Sequence, residues 1–141
     1  MTRLAPRLLL AVSSLILAAG GAVHAAAFPR ARVVFGASDL PPFFGNTSQA
    51  LWLADSTTLW TVAAVFALIA VRPTAASGPV VMLVALIPAA TAVMIYLFLG
   101  RFFAGHLLLA AAAVACFAGL LLATRGTPRA VAAAPPPVIS S

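Results

Sequence analysis

The stretch Tyr96-Leu-Phe-Leu-Gly-Arg-Phe-Phe-Ala-Gly-His106 decides how the chain is read. Residues 79–100 and 102–124, on either side of Arg101, contain no Asp, Glu, Lys or Arg. Each run is long enough to cross the roughly 30 Å hydrocarbon core of a bilayer as a helix. Gly100 is a natural C-terminal stop, and Arg101 puts a charge where the chain must turn among headgroups or water. Two antiparallel membrane helices joined by this turn are expected, and the remaining segments are arranged around them.

Composition assigns the class. Of 141 residues, 64% are hydrophobic and 7% charged, and the mean hydropathy is +1.15. Soluble globular domains do not show that balance. All the basic residues are Arg, and the only acids are Asp39 and Asp55. The net charge of +6 does not point to nucleic acid, because the arginines stand singly at the ends of apolar runs with no basic patch between aromatic platforms. They read as topology signals, and the lipid bilayer is the partner composition names. Cys116 is the only cysteine and lies in an apolar run, so no internal disulfide or cysteine-cluster metal centre can form.

Residues 8–28 form the first run, behind Arg3 and Arg7, and admit two readings. As a secretory signal they offer a basic head, an apolar stretch and the small-x-small sequence Val23-His24-Ala25 before Ala26. As a retained span they are long for a signal and place Ser13, Gly20, Gly21 and His24 near one helical stripe suited to other helices. Residues 29–49 are expected to be an outer loop, broken by Pro29, Gly36, Pro41, Pro42 and Gly45 and folded over the end of the bundle. Residues 50–71 make the second span, with Trp52 and Trp60 suited to the interfacial belt and Asp55 near the boundary. Pro79 opens the third span, Pro88 should kink it, and Ala111, Ala115 and Gly119 give the fourth a four-residue repeat of small residues for close packing. The Ala/Pro-rich tail, residues 125–141, is expected to be disordered.

With the N-terminus inside, Arg3, Arg7, Arg72, Arg125 and Arg129 are cytoplasmic, and Arg30, Arg32 and Arg101 are outside. That bias favours a multi-pass membrane protein with both termini cytoplasmic. The same topology delivers His24, Asp55, Tyr96, Arg101 and His106 to one face. Ionisable groups in or beside spans are costly and are candidates for function. Two imidazoles and a carboxylate suit a metal ion, a pair of histidines suits an axially ligated haem, and Arg101 suits an anionic or quinone-like head. The simpler reading, which the sequence favours, is that headgroups and water solvate all of them. Then Arg101 snorkels, His106 bonds locally, Asp55 pairs with Arg101 or a loop arginine, and Tyr96 is a belt residue. No metal or cofactor is assigned on this reading.

Phosphate-binding glycine loops, metalloprotease histidine motifs and nucleophile elbows are all missing. The chain is similar in size and span count to small four-helix drug exporters, but those depend on a glutamate in the first span and this sequence has no Glu. It likewise lacks the cysteine pairs on which four-helix mercury-uptake proteins depend. With Gly21-Ala-Val-His24 closing the first run and Gly105-His106 opening the last, residues 8–122 resemble small, uncharacterised four-span proteins of bacterial inner membranes. That resemblance implies a fold and a place in a bacterial inner (plasma) membrane, and no activity.

The fold expected is all-α: an integral membrane bundle of four antiparallel helices over residues 1–124, or three if the first run is a cleaved signal. The function expected is a non-enzymatic accessory, scaffold or self-associating subunit, partnered by itself or by another membrane protein. The alternative is an outer-face metal, haem or quinone (redox) site built from His24, Asp55, Arg101 and His106. A small transporter is the third possibility, and it would need a water path to Asp55 that no polar stripe supplies.

Overall fold

A computed structural model of the protein describes residues 4–124. They form four helices, α1 (Leu4–Gly36), α2 (Pro42–Val71), α3 (Gly78–Leu99) and α4 (Phe103–Ala123), each long and apolar enough to span a membrane. The expected tail, residues 125–141, and the basic head at Arg3 lie outside the described residues.

The last two helices fall where their punctuation puts them. Ser77 is the N-cap of α3, with Pro79 in its first turn, where a missing N–H costs no helical bond. Gly100 ends α3 at φ 69°, a left-handed conformation open to glycine and strained for other residues. Pro88 is buried within α3, and Thr91 donates its hydroxyl to the Ile87 carbonyl at 3.1 Å.

The expected loop over residues 29–49 is a correction. Helix α1 runs through Pro29 to Gly36, α2 begins at Pro42, and only residues 37–41 connect them. Of the candidate breakers, Pro41 is the one that acts: at φ −52° and ψ 144° it is the non-helical N-cap, and Pro42 opens the helix behind it. Pro29 is carried inside α1. Gly45, Asn46 and Thr47 lie in the opening turns of α2, and Ser48 bonds back to the Phe44 carbonyl at 2.9 Å.

At 1.5 Å per residue, α3 and α4 are about 32 Å long, whereas α1 and α2 exceed them by roughly 12–18 Å. The helices are level at the end that carries the termini. There Arg7 donates to the carbonyls of Ala70 and Val71 at 2.8 and 2.7 Å, and Gly78 lies against Gly119 and Ala123. The excess therefore projects at the opposite, distal end as a helical hairpin bearing Arg30, Arg32 and Asp39.

Across the bundle the order is α2, α1, α4, α3. Helix α1 packs on both α2 and α4, α3 packs on α4, and α2 barely meets α3. Because lipid is as apolar as leucine, close backbone approach and interhelical hydrogen bonds must hold such an array together. Both are present. Ala111, Ala115, Ala118, Ala85 and Ala92 are fully buried, and the expected Ala111/Ala115/Gly119 stripe faces the neighbouring helices. Ser13 donates to the Ala111 carbonyl at 2.9 Å, joining α1 to α4, and Ser14 donates to the Ala63 carbonyl at 2.7 Å, joining α1 to α2. Both hydroxyls are buried.

Candidate functional site

The five residues expected at one face do lie at the distal end, but as two pairs and a remainder. His24 on α1 meets Asp55 on α2, with Nε2 and Oδ2 3.6 Å apart. The expected pairing of Asp55 with Arg101 or a loop arginine is thereby corrected. Asp55 also lies well inside α2, because that helix begins at Pro42. Tyr96 on α3 meets His106 on α4 edge to face, with ring centroids 5.4 Å apart. Arg101, exposed in the turn, has no hydrogen bond or ion pair among the described residues.

The first pair is held by aromatic packing. The Trp52 ring stacks on the His24 ring at 4.3 Å with 10° between planes, and its indole N–H donates to the His24 carbonyl at 2.8 Å. One turn deeper, Gly21 lets the second indole in: a methyl group there would lie 2.8 Å from Trp60, whose N–H donates to the Ala18 carbonyl at 3.2 Å. Both tryptophans read as belt residues thus bind α2 to α1. The second pair is local. His106 Nδ1 bonds to the Phe102 carbonyl one turn back at 3.1 Å, as expected for a histidine bonding within its own helix, and Gly105 leaves room for Tyr96.

Where α2 and α3 diverge, all four helices line one open cleft of about 1240 Å³. It runs from Ile16, Leu59 and Leu108 to Ala27, Leu51 and Phe102 at the distal end. That is about 16 Å along α1, or half the hydrocarbon thickness. The polar side chains along it are His24, Trp52, Asp55 and Thr91. Trp52 and Thr91 already donate to backbone carbonyls, which leaves Thr91 only as a neutral acceptor, and the ionisable groups in the walls are confined to His24 and Asp55. Their side chains are 31% and 37% exposed, neither buried nor fully solvated, and 3.6 Å is too long for a direct hydrogen bond. A hydroxyl or ammonium group could therefore bond to both.

The expected metal or two-histidine haem site does not fit this arrangement. His24 and His106 belong to different pairs, and only His24 lines the cleft. Among the described residues no three of His, Cys, Asp and Glu come together. Sequence reasoning missed Gly20, Phe98, Phe102 and Phe103 as cleft residues. Gly20 and Gly21 look alike in the sequence, but Gly21 is filled by Trp60 whereas a methyl group on Gly20 would meet nothing within 4 Å.

The chain matches no family model, and searches of curated proteins and of solved structures give no match.

Proposed function

We propose that this is an integral membrane protein that takes an amphiphilic molecule from the bilayer into the distal cleft and holds it without converting it. The polar head rests at His24 and Asp55, and the apolar body runs toward Ile16, Leu59 and Leu108. The observation that carries this reading is the confinement of the ionisable side chains to one spot in an otherwise largely apolar cleft. Small-molecule sites have this composition, with a few placed polar groups in an apolar wall. The cleft's opening between α2 and α3 gives access from the side, where membrane-dissolved molecules are concentrated.

On this reading the protein is a non-enzymatic accessory or carrier subunit of a bacterial inner membrane, with both termini cytoplasmic and the distal end outside. A second reading is favoured by the separation of α2 from α3: the cleft receives a helix of another copy or of a partner subunit.

Gly20→Phe separates the two from an empty cleft. A Cβ at Gly20 meets nothing within 4 Å, so the new side chain starts in open space at the cleft wall. Native mass spectrometry of the wild-type protein, released gently from membranes, should show a monomer with a bound amphiphile that the variant lacks. A wild type that never retains an amphiphile overturns the first reading, and loss of a dimer or of a co-purifying subunit in Gly20→Phe establishes the second.

A further inference from the structure

The charge around the cleft specifies the head group, on the premise that the cleft binds an amphiphile at all. Asp55 is the one carboxylate in its wall, and no arginine among the described residues lines it. His24, from α1, is the only other titratable group that does; α3 and α4 contribute none, since Tyr96 and His106 lie outside the lining. An anionic head resting at His24 would meet the Asp55 carboxylate with no guanidinium in the lining to offset it, Arg30 and Arg101 standing outside it. A neutral head would gain hydrogen bonds alone. A cation would gain the attraction of a half-buried carboxylate across an apolar medium, where charges interact more strongly than in water. Aromatic rings add to this. Trp52, Phe98, Phe102 and Phe103 line the distal half of the cleft and can offer the electron-rich faces that attract cations.

We infer that the cleft selects lipophilic cations, that is, ammonium-like or delocalised positive groups on an apolar body. Asp55 provides the counter-charge, and the neighbouring His24 ring, 3.6 Å away, adds a hydrogen-bonding group but no fixed charge.

Two ions of the same shape and opposite charge, tetraphenylphosphonium and tetraphenylborate, test this directly. Binding is measured by calorimetry to the full chain in phosphatidylcholine nanodiscs, with protein-free nanodiscs subtracted. The phosphonium should bind with saturation and the borate should not. Asp55→Asn, which keeps the side-chain shape, should weaken phosphonium binding by about tenfold or more. Gly20→Phe should abolish it. Equal binding of both ions, or phosphonium binding unchanged in Asp55→Asn, overturns the inference. If neither ion binds although wild-type protein carries an amphiphile that Gly20→Phe loses, the charge selection is wrong and the binding reading stands. If neither ion binds and no amphiphile is retained, both fall. An Asp55→Asn protein that aggregates is replaced by His24→Arg, which keeps the carboxylate but sets a permanent cation beside it and should weaken phosphonium binding; unchanged binding also overturns the inference.

Discussion

Single glycines carry much of the contact between helices. At Gly119 an added methyl group would lie 2.7 Å from Met82 Cγ and 2.9 Å from the Gly78 carbonyl oxygen. The side chain can move aside, but the backbone of α3 cannot. Gly119→Val should therefore destabilise the bundle by about 1–3 kcal/mol, as overpacking does, whereas Gly20→Val should be close to neutral. Unfolding in mixed detergent micelles, followed by helical circular dichroism, measures both. Equal effects would show that the α3–α4 approach is looser than it looks. Glycine type alone does not reveal the difference between the two positions. What decides it is the helix standing opposite, which a linear reading cannot supply.

At the scale of elements, α1 is the member the others depend on. It lies between α2 and α4, and Ser13, Ser14 and the carbonyls of Ala18 and His24 bond to those neighbours. Cleavage after Ala25 would cut within the continuous helix and remove the helix that joins α2 to the rest. The intact mass of membrane-purified protein should consequently include residues 1–25; a product beginning at Ala26 would mean that α2 leaves the bundle. The limits of α3 and α4 were legible because Pro79 and Gly100 act locally, through a missing N–H and a free φ. The limits of α1 and α2 were not. Pro29 is tolerated inside a helix and Pro41 caps the start of one, and the two prolines look alike in isolation. The four segments meeting at the distal end followed from antiparallel topology. Their division into His24–Asp55 and Tyr96–His106 pairs did not, because it depends on the bundle order α2, α1, α4, α3.

The whole molecule is two hairpins of unequal length. The longer one outreaches the shorter at the distal end and places the turn at residues 37–41 well beyond the cleft. A Ser38→Cys label in a Cys116→Ser background should react with a membrane-impermeant maleimide from the side opposite the termini. In right-side-out cells this means labelling without permeabilisation if the termini are cytoplasmic; labelling only after permeabilisation would invert the arginine-based orientation. Charge bias could name an orientation, since arginine crosses a bilayer at high cost. It could not foresee that Arg30 and Arg32 ride on a projecting helix instead of a surface loop.

The hydrogen bond that fastens one hairpin to the other joins Ser13 to Ala111, residues 98 apart in the chain. A ribosome adding about 5–20 residues per second needs roughly 5–20 s to cover that separation. For the second half of that interval Ser14 can already have its partner in α2, 49 residues on, while the Ser13 hydroxyl and the face of α1 around it wait in the bilayer for a helix not yet made. The α3–α4 hairpin of a neighbouring chain presents the same Ala111 carbonyl on the same small-residue stripe. Crowded synthesis thus sets correct closure against exchange of hairpins between copies, a competition decided by timing instead of by the stability of the finished fold.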